Sequence, residues 1–211
     1  MNLFERGQRV VMDAPQLYID VDIETDGWAG YGSMLSLGAV EPLGGTFYRE
    51  IRPISEDFVV SQREFCESHG LERDRLIVQA SGYRQVMTEF KSWVDRAVFL
   101  SDKQSAVFTA FNAGFDFGFV QLYFLRAGLE NPFGTAPFDL KSLALAINPA
   151  WDWSQTSKGR LPAKILPPGD FEHHALKDAL YQQQLHFGLA ALLNENHTDF
   201  LSTKDEGGAY D

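Results

Sequence analysis

Cysteine is almost missing from this chain of 211 residues: Cys66 stands alone, which rules out an internal disulfide. Positive charge is scarce, with 18 Lys and Arg against 29 Asp and Glu and a formal net charge of −11. That argues against a module that grips long duplexes by neutralising phosphates, because such binding depends on Lys and Arg. A site that meets phosphate through bound cations is still allowed. No apolar run approaches the roughly 18 residues of a membrane span, so no membrane association is expected. The opening MNLFERGQRV carries Glu5, Arg6 and Arg9 in place of an apolar signal core. A reducing, cytoplasmic location is the expectation. What the chain does have is apolar mass: 45% hydrophobic residues, with 17 Phe, enough to bury a core. Its length suits one domain.

The residues arrange themselves around the segment 17–26, LYIDVDIETD. Leu17, Ile19, Val21 and Ile23 alternate with Tyr18, Asp20, Asp22 and Glu24, the period of a β-strand. Asp20, Asp22 and Glu24 therefore share one face with no basic residue in the strand. Like charges at that spacing favour a cation between them, and hard divalent ions prefer carboxylate oxygen. An exposed, acid-decorated strand is the plain alternative.

Residues 1–16 read as a loose leader, 17–194 as a single domain and 195–211 as a polar, acidic tail that frays. Residues 34–40 and 46–51 alternate as second and third strands after Gly-rich turns, which implies an antiparallel meander. Short helical turns are expected around residues 62–69. Tyr83, Val86, Met87, Phe90, Trp93 and Val94 fall at helical spacing, with Ser81 as N-cap. Residues 106–111 read as a buried strand. Asn112 can cap the next helix, which is apolar nearly all round and hence buried. Residues 138–140 add an edge strand before a helix through residue 147. The segment 148–172 holds four prolines and two glycines and is a long loop. Its Trp151, Trp153, Lys158, Arg160 and Lys164 suggest a lid over nucleic acid. A last helix covers residues 175–193. Three strands followed by alternating strands and helices imply an α/β layer fold with a mixed sheet.

Two more acidic positions fall at element boundaries. Asp116, in FNAGFDFGF, lies in a first helical turn, where the helix dipole favours an acid. Asp178, in EHHALKDA, opens the last helix behind His173 and His174. Helical spacing pairs His174 with Asp178, whereas His173 reaches the same place only from a loop, which Gly169 and the prolines before it supply.

Asp22-Ile-Glu24, Asn112-Ala-Gly-Phe-Asp116 and His173-His-Ala-Leu-Lys-Asp178, in that order, resemble the three motifs of the DEDDh 3′–5′ exonucleases, which include RNase T and polymerase proofreading subunits. The resemblance runs from about Tyr18 to Leu193. It implies a ribonuclease H-like, three-layer fold: a central mixed sheet, first three strands antiparallel, helices on both faces. It implies hydrolysis at nucleic-acid 3′ ends, releasing nucleoside monophosphates by a two-metal mechanism with Mg²⁺ or Mn²⁺. The metal ligands would be Asp22, Glu24, Asp116 and Asp178. The general base would be His173, five positions before the last acid. Trp28 would stack on the terminal base, Thr25 would contact the terminal sugar, and Asn112 and Phe115 would shape the nucleotide pocket. The expected partner is a single-stranded or short 3′ end, DNA or RNA, and a homodimer is compatible with the pattern. Two other readings are a non-catalytic binding module on the same fold and a metal-dependent phosphohydrolase of free nucleotides.

Overall fold

The computed structural model describes residues 1–148, 150–157, 160–169 and 172–205, the last ten of these by backbone alone. The acid-bearing segment forms β1 (Leu17–Thr25), the centre of a five-stranded sheet. β2 (Met34–Val40) pairs with it antiparallel, and β3 (Thr46–Glu50) pairs antiparallel with β2. On the other side β4 (Ala106–Ala110) pairs parallel with β1, and the two-residue β5 (Phe138–Asp139) pairs parallel with β4. The order is β3-β2-β1-β4-β5. The sheet is mixed and its first three strands are antiparallel, as expected.

The even side chains and odd side chains of β1 serve different layers. Leu17, Ile19, Val21 and Ile23 enter the main core against α4 (Tyr83–Leu100) and α5 (Gly114–Ala127). Phe90, Val94, Phe119 and Phe124 are fully buried there, each such side chain worth about 1.5–3 kcal/mol of burial. The acidic face meets α7 (Ala175–Asp205). Gln182 of α7 donates to Val21 O at 3.2 Å and Thr109 O at 3.3 Å, and accepts from Phe111 N at 2.8 Å. His186 Nδ1 lies 3.1 Å from Asp20 Oδ2. Asp178, Gln182 and His186, four apart, thus form one polar stripe along the helix.

The structure corrects several expectations. Residues 1–16 are not a loose leader: Leu3–Asp13 is a helix, α1, closed by a capping box between Asn2 and Glu5. α1 lies flat on α7, and a Cβ at Gly7 would sit 1.6 Å from Phe187 O. The tail does not fray at residue 194, because α7 stays helical to Asp205, and residues 206–211 lie outside the described ones. Ser81 caps nothing: Gly82 is the N-cap of α4, and Ser81 bridges to Ile51. Asn112 does not cap α5 either. Ala113 holds that position without a side-chain bond, and Asn112 takes a left-handed φ of 68°. α2 (Val60–Ser68) matches the expected helical turns, while α3 (Arg73–Gln79) was hidden in a polar stretch. The long loop contains a 3₁₀ turn (Trp153–Thr156), and its Leu161 and Ile165 are buried against Leu140 of α6 (Leu140–Ile147) and against Leu185 and Leu189. Trp151 packs on the same cluster and Lys141 covers the Trp153 ring at 4.1 Å, so both tryptophans contact the body of the domain. Lys158 lies outside the described residues.

Candidate active site

Glu24 and Asp178 come together where α7 packs on the acidic face of β1, and Phe115, next to Asp116, shares a cavity wall with Glu24. Glu24 sits at the C-terminal end of β1, where the pairing with β2 shifts register between Glu24 and Thr25. A bulge there re-aims the side chains that follow. Asp178 arrives on the first turn of α7 and is 4% exposed. α7 comes this close because Gly38 of β2, opposite Asp22, has no side chain. A Cβ there would lie 2.2 Å from the backbone of Ala175 and Leu176.

His173 precedes the helix with a left-handed φ of 52°. Glu172 N donates to Asp178 Oδ1 at 2.9 Å and folds the loop back over the acid. Donor atoms of Glu24, His173 and Asp178 lie within 4.8 Å of one another. His174 goes elsewhere. Its ring stacks on Tyr48 at 4.4 Å, and its carbonyl accepts from Asp178 N at 2.9 Å as part of the helix start. Asp22 is two residues deeper on the acidic face of β1 and half-buried, and Asp116 is buried in the first turn of α5. Both lie outside the three-residue cluster with Glu24.

The turn before Asp116 is held by Asp139. Its Oδ1 accepts from Asn112 N at 2.9 Å and Ala113 N at 3.0 Å; its Oδ2 accepts from Ser142 N at 3.1 Å. Burial pushes the Asp139 carboxyl upward, but the hydrogen bonds from Ser142, Ala113 and Lys141 outweigh it and hold it below the usual carboxylate value. The end of β1 is held by a buried pair. Asp26 accepts from Arg73 and from Ser33 N at 2.6 Å, and Arg73 also reaches Ser55 O. Burial is the largest influence on Asp26 and raises its pKa despite these partners.

Beside Glu24 a cavity of about 320 Å³ is lined by Ile23, Thr25, Ser61, Gln62, Phe65, Cys66 and Phe115. Thr25 Oγ1 donates to Gly27 O at 3.1 Å, and Cys66 Sγ donates to Thr25 O at 3.2 Å. Burial, reinforced by the charges of Glu24 and Asp26, pushes the Cys66 thiol up to about 12. Gln62 Oε1 is buried in the wall without a hydrogen-bond partner among the described residues. Trp28 does not close the core: it is 57% exposed, with its ring edge-on to Phe115 at 6.3 Å. Asn112 is exposed at the surface and does not line this cavity. Ser61, Gln62, Phe65 and Cys66 had no motif to announce them. Their only signal was the weak helical pattern around residues 62–69. A second cavity of about 380 Å³, lined by Val10, Tyr18, Phe138, Leu143 and His186, lies under α1.

The two carboxylates of the cluster suit a hard divalent ion such as Mg²⁺ or Mn²⁺, which takes oxygen ligands. Without a cation, the Glu24 and Asp178 carboxylates would repel at this separation.

Residues 18–187 match the family described as the 3′-5′ exoribonuclease Rv2179c-like domain. The chain is 36% identical over 185 residues to the 3′-5′ DNA exonuclease Cap18 of Escherichia coli, which covers 85% of this chain and 94% of that protein. Among solved structures it is similar to the nuclease domain of 3′hExo, a DEDDh family member bound to rAMP, with a TM-score of 0.59, 14% identity, and 85% of this chain and 92% of that one covered. It is also similar to S. pombe Pop2p in a form with Mg²⁺ and Mn²⁺ bound, with a TM-score of 0.55, 10% identity and 87% of each chain covered. At those identities the two structures speak to the ribonuclease H-like fold alone.

Proposed function

This chain belongs to the 3′-5′ exoribonuclease Rv2179c-like family, among the DEDDh 3′–5′ exonucleases, and we propose that it removes nucleoside monophosphates one at a time from single-stranded or short nucleic-acid 3′ ends. The reading rests on one observation above all: the clustering of Glu24, His173 and Asp178 donor atoms within 4.8 Å, from chain segments some 150 residues apart.

In this reading Asp22, Glu24, Asp116 and Asp178 hold two divalent ions. Such a pair, when bound, neutralises the scissile phosphate, favours ionised water and stabilises the leaving oxygen. His173 takes a proton from the attacking water, since an imidazole near neutrality suits a general base. Its position on a loop, outside the helix, lets it reach the water without displacing Asp178. The cavity beside Glu24 takes the terminal nucleotide. Phe115 and the exposed Trp28 offer faces for a base, worth about 1–3 kcal/mol per stacked base. Gln62 Oε1 offers an acceptor to a hydroxyl or amino group of that nucleotide. Thr25 contributes backbone, because its hydroxyl proton is engaged by Gly27 O.

The family description names RNA and the curated relative names DNA, so either sugar fits the reading. Digestion of matched 5′-labelled DNA and RNA oligonucleotides, single- and double-stranded, with Mg²⁺ or Mn²⁺, tests it. A ladder shortening from the 3′ end is expected, with His173→Ala slower by about 10²–10⁴-fold. Turnover of free nucleotides with intact oligonucleotides would instead favour the phosphohydrolase reading.

A further inference from the structure

His69 is the C-cap of α2, and its ring has a neighbour the proposed reaction depends on. The His69 and His173 rings lie 4.9 Å apart between centroids, at 65°. Phe65, four residues earlier on the same face of the helix, meets the His173 ring edge-on at 4.6 Å and 82°. Phe65 and His69 also contact each other, at 4.5 Å. We propose that His69, together with Phe65, is a positioning residue for the general base: the two rings form a platform that fixes the direction of the His173 imidazole. This rests on the reading of His173 as that base.

The need for such a platform follows from where His173 sits. It lies before the first turn of α7, in a left-handed conformation, so no helix ladder sets its side-chain direction. A base must stand within hydrogen-bond reach of the proton it removes. A misplacement of about 1 Å can cost about 10²-fold in rate. His174, its neighbour, gains its order from Tyr48 and gives none to His173.

The platform has its own tie to the helix. His69 Nδ1 lies 2.8 Å from Phe65 O, and a carbonyl only accepts, so in this arrangement Nδ1 carries the proton and the bond sets the orientation of the ring. Ser68 Oγ lies 3.1 Å from the same nitrogen. α2 is pinned to the strand that carries Glu24. Val59 N donates to Asp26 O at 2.7 Å, and Cys66 Sγ donates to Thr25 O. The direction of the imidazole is therefore referenced to the same strand end as the acid, through one short helix. His69 was passed over in the sequence because nothing about SHGL marks it. Its partner is 104 residues further along the chain.

The test is a double-mutant cycle on 5′-labelled single-stranded oligonucleotide with Mn²⁺, with kcat and KM measured for His69→Ala, His69→Phe, His173→Ala and His69→Ala/His173→Ala. His69→Ala is expected to lower kcat by about 10- to 100-fold with KM little changed. His69→Phe, which keeps a ring against His173, is expected to recover most of that loss. The double variant is expected to be no slower than His173→Ala alone, because a group that acts through His173 has nothing left to act on. Losses that multiply in the double variant would overturn the platform and assign His69 a contact of its own with the nucleic acid. A rise in KM alone would do the same. Full activity in His173→Ala would overturn the base reading first, and the platform with it. Thermal melts of His69→Phe within a few degrees of the parent keep a folding defect from passing as a positional one.

Discussion

Two adjacent histidines with opposite surroundings show how much one residue step decides. His173 meets Glu24, Asp178, Phe65 and His69, while His174 is clamped on Tyr48. His174→Ala is therefore expected to lose about 0.5–1.5 kcal/mol of stability from the stacked pair and to keep its cleavage rate, which urea denaturation and a digestion assay check together. A crippled enzyme with normal stability would move the base to His174. The acids were legible from sequence because strand alternation and helix starts advertise them: Asp22 and Glu24 by period two, Asp116 and Asp178 by a first helical turn. Gln62, Phe65 and His69 were not legible. They reach the site through the packing of α2 on the end of β1, which leaves no periodic mark.

At the scale of elements, the turn from β4 into α5 hangs on Asp139. A chain reader sees Asp139 only as the N-cap of α6, where it accepts from Lys141 N and Ser142 N. Its bonds to Asn112 N and Ala113 N cross between elements and replace the cap that Asn112 does not supply. Asp139→Asn presents an amide group where one set of N–H donors needs an acceptor, and should cost about 1–3 kcal/mol at neutral pH together with activity, because Asp116 follows that turn. The folded carboxyl is held below its ordinary value. Its stabilising contribution is thus complete above the unfolded pKa near 3.9 and disappears as pH falls through the folded value. Urea midpoints from neutral pH downward should fall less steeply below about pH 4 in Asp139→Asn than in the parent. Parallel curves would show that the carboxylate was not the source. The missed helices have a similar explanation. α1 carries its capping box and apolar positions openly, but its reason to be ordered, the seat at Gly7 on α7, lies 180 residues away.

Across the whole molecule, α7 is the beam that joins parts distant in sequence. It carries Asp178 at one end, bonds β1 and β4 through Gln182, meets Asp20 through His186, and supports α1 beyond. Its closeness to the sheet is set at Gly38, where the backbone of Ala175 and Leu176 passes through the space of a side chain. Gly38→Ala is expected to push the start of α7 outward. The stability loss should be about 1–3 kcal/mol, but the loss of cleavage should be larger than unfolding explains, since Asp178 and His173 move with the helix. Activity measured well below the melting temperature, where the variant is fully folded, checks this; parent-like turnover there would show that the helix yields without shifting the acid. The α/β character and the mixed sheet were readable from the sequence because apolar alternation and helical period are local, whereas the three layers followed from the resemblance of the motifs. The distance between α7 and β2 was not readable, because a glycine in a strand can mean several things until its neighbour is known.

The lone thiol offers a way to watch the site's wall open. An alkylating reagent needs the thiolate, and Cys66 is both sealed against β1 and raised to about 12. Iodoacetamide at neutral pH should therefore mark only molecules in which α2 has lifted from the strand, so uptake becomes a clock for that excursion. A single-stranded oligonucleotide seated beside Glu24 should slow the clock, giving a measure of occupancy that works even in a variant unable to cut.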